Sequence, residues 1–129
     1  MPSSGAERDE RWARGTAAYA SQFRIDEVEV FDRLAATVGN RMATEAIHAA
    51  GGVWADDDVL SLRERSLVVV TALVTQGGVD ARLRGHVRWA LDHGVSPEEL
   101  EAAVALLAVY VGYPKASVAM EVVREVLAD

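Results

Sequence analysis

Three histidines, His48, His86 and His93, are the side chains of this sequence whose ordinary pKa lies near neutrality. His86 stands between Leu83 and Ala90 at helical spacing, so it faces or borders the buried side of its helix. A titratable ring there is costly unless it is hydrogen-bonded or put to use. Two readings follow: a core histidine satisfied by a backbone carbonyl, or an acid–base group. His48 and His93 read as ordinary. The three histidines offer no same-face i, i+4 pair and no carboxylate motif joins them, so a metal site is not expected.

The charged and aromatic candidates each carry a structural alternative. Glu64 stands three residues after Ser61, and Ser61-Leu-Arg-Glu64 matches a capping box, which explains the glutamate without any catalytic role. Arg82, Arg84 and Arg88 lie on one helix, with Arg84 and Arg88 a turn apart. They suit the guidance of an anionic substrate or, more simply, a solvated face paired with acids of the next helix. Trp54, Tyr110 and Tyr113 could wall a pocket for an aromatic or lactone ring, or pack a core or interface.

The elements that must position these groups are helical throughout. Trp12, Thr16, Tyr19 and Phe23 form one apolar stripe and Val30, Phe31, Leu34 and Val38 the next, with Asp26 and Glu29 at its start. A turn is expected near Gly39-Asn40, a helix end at Gly51-Gly52-Val53-Trp54, and an acidic loop at Ala55-Asp56-Asp57-Asp58. The run Leu67-Val-Val-Val-Thr-Ala-Leu-Val74 has strand-like residues, but about fourteen residues between the capping box and Gly77-Gly78 favour a helix. Asp80 is the expected cap of the next helix, and Gly94 closes it after His93. Ser96-Pro97-Glu98-Glu99 opens another. Residues 102–111 are apolar almost all round, so that helix is expected to be buried inside the domain or in a subunit interface. The last helix, 115–127, is expected to turn Val118, Ala119, Val122, Val123 and Val126 inward. The fold class is therefore all-α, a compact bundle of six or seven short helices in one domain spanning 1–129, with residues 1–7 as a frayed tail.

Composition narrows the function. The net charge of −7 disfavours nucleic acid and anionic membrane surfaces as partners. No apolar stretch reaches the roughly 20 residues of a membrane span, and residues 1–10 lack the apolar core of a signal peptide, so a cytoplasmic location is expected. Cysteine is absent, which removes disulfides and thiol chemistry. Twelve of the 13 basic residues are arginine and Lys115 is the single lysine.

Four blocks carry a resemblance. Arg63-Glu64-Arg65-Ser66-Leu67, Gly85-His86-Val87-Arg88-Trp89-Ala90-Leu91, His93-Gly94-Val95-Ser96-Pro97-Glu98-Glu99 and Ala108-Val109-Tyr110-Val111-Gly112-Tyr113-Pro114 stand in the order and spacing of the carboxymuconolactone decarboxylase family. The core of the match runs over 60–127, and it implies the alkylhydroperoxidase-D-like fold. The peroxidase branch of that family has a Cys-x-x-Cys pair four residues ahead of its histidine; here those positions are Val79 and Arg82, so thiol peroxidase activity is not expected. The cysteine-free branch implies a lyase working without metal or organic cofactor, as in the removal of CO2 from 4-carboxymuconolactone. On that resemblance His86 is the general acid/base, Arg65 binds a substrate carboxylate or lactone oxyanion, and Glu64 is a third catalytic candidate. Trp54, Tyr110, Tyr113 and Arg82 are the substrate-binding candidates. Typical members carry an Arg-Pro-Gly loop where this chain has 55–58. The alternatives are another lactone or keto-compound conversion in secondary metabolism, of isomerase, cyclase or hydrolase type, or a non-catalytic ligand-binding relative. The apolar helices of the second half exceed what a domain of this size readily covers, and the resemblance implies a homo-oligomer, a trimer or hexamer ahead of a dimer.

Overall fold

A computed structural model describes residues 4–55 and 58–129, and every regular element among them is helical. In chain order these are α1 (Gly5–Phe23), α2 (Glu27–Ala49), a π-helical turn (Ala50–Trp54), α3 (Leu62–Gln76), α4 (Asp80–Asp92), α5 (Pro97–Val111) and α6 (Tyr113–Leu127). The all-α class and the number of helices agree with the sequence pattern. Among the described residues no helix is long and apolar enough to cross a membrane. The chain divides into two compact units, Met1–Val59 and Leu60–Asp129.

In the first unit, the Ser4 hydroxyl accepts a hydrogen bond from the Glu7 N–H (3.1 Å), and the Glu7 carboxylate accepts one from the Ser4 N–H (2.8 Å). The tail expected over residues 1–7 is therefore helical from Gly5 on, because a capping box sits among its Pro, Ser and Gly residues; residues 1–3 lie outside the described residues. Glu29 accepts from the Asp26 N–H (3.2 Å) at the start of α2, as its spacing suggests. The expected turn at Gly39 is a break inside α2, where φ 82° and ψ 163° leave helical geometry and suit glycine. Gly15 in the middle of α1 has a different reason: a Cβ there would lie 1.8 Å from the Ile47 carbonyl oxygen. Across the same contact, a Cβ on Gly51 would lie 1.7 Å from the Arg11 carbonyl oxygen. Arg11 Nε donates to the His48 carbonyl (2.8 Å) and Arg14 Nε to the Gly51 carbonyl (3.0 Å), satisfying acceptors that a helix end leaves over. Ala20, Val30, Leu34, Ala43 and Ile47 form the core, with Trp12, Tyr19, Phe23 and Phe31 packed against it. Trp54 ends the π-helical turn, and of the acidic loop Asp56 and Asp57 lie outside the described residues.

In the second unit both expected capping boxes form. Ser61 accepts from the Glu64 N–H (3.1 Å) and Ser96 from the Glu99 N–H (3.1 Å), and each glutamate reaches back to its serine N–H. The β-branched run lies inside α3, so the cap and the burial of Val70 and Val74 outweigh strand propensity. One boundary shifts: Val79, not Asp80, is the N-cap of α4, and Asp80 is the first helical residue, where a carboxylate still meets the positive helix end. Val70, Val74, Leu83, Val87, Ala90, Leu100, Val104 and Val123 anchor the core.

One burial expectation fails in this unit. Val118 is 51% exposed, because the inward face of α6 is set by Ala116, Ala119, Val122, Val123 and Val126, and position 118 falls to its side. On α5 only Leu100 and Val104 are buried, while Leu106, Val109 and Tyr110 are exposed, so of the two places expected to cover this helix the inside of the unit covers only one face. The arginines of α4 also pair differently from expectation. Arg84 meets Glu125 and Arg88 meets Asp129 (3.2 Å), at the end of the chain and not on the next helix. Arg63–Glu99 and Arg124–Glu101 add further pairs, all partly exposed and each worth at most about 1 kcal/mol.

Candidate active site around His86

Leu83, Val87 and Ala90 of α4 are buried in the second-unit core, and that anchoring fixes the face on which His86 sits half-buried. Removal from water penalises its charged form and lowers its pKa from 6.5 to about 4; the guanidinium of Arg82, one turn earlier, pushes the same way. The ring is therefore neutral at physiological pH.

Three residues later, the buried indole of Trp89 lies with its centroid 6.0 Å from the His86 ring and 4.8 Å from that of His93. His93 ends α4, and its Nδ1 is 2.7 Å from the hydroxyl oxygen of Ser66, which is 1% exposed. Burial is the main cause of a lowered His93 pKa, opposed by Asp92 and reinforced by Arg65. Two imidazoles that both resist protonation are thus linked through one tryptophan, with an arginine close enough to His93 to act on it.

Arg65, half-buried in the first turn of α3, donates from Nε to the Leu60 carbonyl (3.0 Å), which steadies its guanidinium. Glu64 is exposed, and its hydrogen bonding with Ser61 holds its carboxyl below the usual range. It is ionised and engaged in the cap, which makes it a poor proton donor. Arg82 is exposed beside His86. Tyr110 (78% exposed) and Tyr113 (75% exposed) stand open at the junction of α5 and α6. Trp54 is half-buried and belongs to the first unit.

The structure thus brings His86 and Arg82 together and groups Arg65 with His93. Sequence reasoning passed over Ser66, Trp89 and His93 as site residues. A signal for one was present: Ser66, Val70 and Val74 repeat at four-residue spacing, so Ser66 is a polar group on the buried stripe of α3 and requires a partner. For His93 nothing local gives the contact, since Ser66 is 27 residues away. Chemically, a neutral imidazole can donate a hydrogen bond to a developing enolate or take a proton, and arginine can hold a carboxylate through forked donors.

The sequence is 32% identical over 100 residues to peroxisomal protein 2 of Saccharomyces cerevisiae, covering 78% of this chain and 35% of that protein. It is 41% identical over 56 residues to peroxisomal protein 2 of Schizosaccharomyces pombe, covering 43% of this chain and 26% of that protein. It is 35% identical over 81 residues to the 4-carboxymuconolactone decarboxylase of Acinetobacter baylyi, covering 63% of this chain and 59% of that protein. This chain therefore spans less than two thirds of each relative's length, about a third or less of the two yeast proteins. The sequence model of the carboxymuconolactone decarboxylase family matches residues 41–125, a stretch that holds every residue of the site just described, and the chain belongs to that family.

Proposed function

We propose that the protein is a cofactor-free carboxy-lyase acting on a small carboxylated lactone or keto acid, with His86 as its acid–base group. The observation that carries this reading is a half-buried, neutral imidazole, flanked by Arg82 and linked through Trp89 to the Arg65–His93 group, within the family segment. Loss of CO2 breaks a carbon–carbon bond and leaves the electron pair in a conjugated enolate, which then takes up a proton at carbon. Arg65 and Arg82 attract the anionic substrate. The neutral His86 ring hydrogen-bonds the enolate as charge develops, and that negative charge raises the ring's basicity from its depressed value, so a proton can pass through it to carbon. Glu64 stays outside this scheme as a helix cap. The similarity to a 4-carboxymuconolactone decarboxylase supports that lactone as the first substrate to try.

Tyr110, Val109 and Leu106 on α5 and Tyr113 on α6 leave an apolar surface open, which supports a homo-oligomer, trimer or hexamer, with Trp54 or Tyr110 near a neighbouring chain. Light scattering of dilute protein reads that assembly directly. A second reading, a non-catalytic ligand-binding relative, is favoured by the two yeast relatives, whose names give a compartment and no reaction. They also set a peroxisomal location beside the cytoplasmic one.

The experiment is incubation of the pure protein with 4-carboxymuconolactone while following substrate loss and CO2 release. Turnover at an enzymatic rate, on the order of 1 to 1,000 per second, supports the strict decarboxylase. No turnover over the uncatalysed rate overturns that substrate and leaves the alternative lactone or keto-compound enzyme, or the binder.

A further inference from the structure

At the end of the α3–α4 hairpin that carries the Gly77-Gly78 turn, the second unit has a cleft of about 420 Å³, within the range of small-molecule sites. Its wall is mostly aliphatic, supplied by Leu73, Leu83, Pro114 and Val118, and the single lysine of the chain, Lys115, stands in it. Two features fix that lysine. Its Nζ donates to the Thr75 carbonyl (3.0 Å) near the end of α3. Its methylenes lie over Gly77, where a Cβ would come within 3.3 Å of Cε and 3.5 Å of Cδ. The ammonium is thus tethered through one of three donors, leaving two for a ligand. It also stands outside the four ion pairs that engage arginines of this unit with Glu99, Glu101, Glu125 and Asp129.

From this juxtaposition we infer that the cleft binds a small monocarboxylate with an apolar body, its carboxylate on Lys115 and its chain against Leu73, Leu83 and Val118. Asp80 also lines the cleft and disfavours a second negative charge, which selects monocarboxylates over dicarboxylates. The site involves neither His86 nor Arg65, so it stands whether or not the chain is a decarboxylase.

The probe is octanoate, titrated into the full chain and followed by amide chemical shifts, with octanamide, octylamine and butyrate in parallel. Octanoate is expected to saturate one site below about 10 mM and to shift the amides of 73–83 and 114–119. Octanamide and octylamine are expected to bind at least about tenfold more weakly, as the loss of the charged pair requires. Butyrate is expected to be weaker by at least about tenfold, because each buried methylene contributes roughly a fourfold factor. Lys115→Met should weaken octanoate about tenfold, while Lys115→Arg, which keeps the charge, should stay within about threefold of the wild type. Absence of saturable octanoate binding overturns the site. Octanamide or octylamine binding as tightly as octanoate, or Lys115→Met binding it unchanged, overturns the role of Lys115. Butyrate binding as well as octanoate overturns the apolar part.

Discussion

The two units solve the same helical problem with different materials. The first brings α1 against the π-helical turn so closely that Gly15 and Gly51 have no room for a Cβ, and it ties the contact with arginine side chains on backbone carbonyls. Aromatic rings, Trp12, Tyr19, Phe23 and Phe31, make up half of the partly buried hydrophobic groups packed against its core. The second relies on a valine and alanine core, paired capping boxes and a rim of ion pairs. Among the described residues, the groups with a resolved pKa displacement, Glu64, His86 and His93, all lie in the second unit. A core of short branched side chains around α4 fixes His86 at a depth that lowers its pKa, whereas His48 of the first unit packs edge-on against Trp12, with ring centroids 5.3 Å apart.

That contrast can be broken most severely at Gly15. In Gly15→Ala the added methyl meets the Ile47 carbonyl oxygen at 1.8 Å, so the α1 contact must open. The expected destabilisation is on the order of 4 kcal/mol or more, beyond the usual range for single substitutions. Urea unfolding with the Trp12 environment as probe checks it, and an unchanged midpoint would mean that the close approach is not what holds the first unit.

A smaller effect sharpens the other side. The folded-state pKa of His86, about 4, lies below the ordinary 6.5 of an unfolded chain, so between those values the unfolded state binds a proton that the folded state refuses. Stability is fully present above about pH 6.5 and is lost as pH falls through about 4. Allowing for partial exposure, the loss is about 2 kcal/mol. Comparing the wild type with His86→Gln at several pH values isolates it from the carboxylates, which titrate in both. Parallel stability profiles would show that the ring is not desolvated in the folded chain.

Much of the second unit was legible because its signals are local. Ser61 with Glu64 and Ser96 with Glu99 announce helix starts within four residues, and the flanking Leu83 and Ala90 place His86 on its face. The same local logic misled at Val118, since a run of apolar residues does not say which of them a small unit can cover. The Ser66–His93 contact was illegible except as a demand for some partner, because its two halves meet only when α3 and the end of α4 are packed. In the first unit, Gly15 gave a comparable demand. A glycine inside a helix costs about 1 kcal/mol relative to alanine unless close approach requires it, and the sequence did not say what approached.

The central claim, that His86 performs the proton chemistry of a carboxy-lyase, is tested most directly by turnover of 4-carboxymuconolactone in the wild type and in His86→Gln. Circular dichroism and light scattering would be matched between the two proteins. The account expects the variant to keep its fold and assembly and to lose at least about a hundredfold in turnover, the scale of lost acid–base catalysis. Turnover in His86→Gln within a few-fold of an active wild type would contradict it.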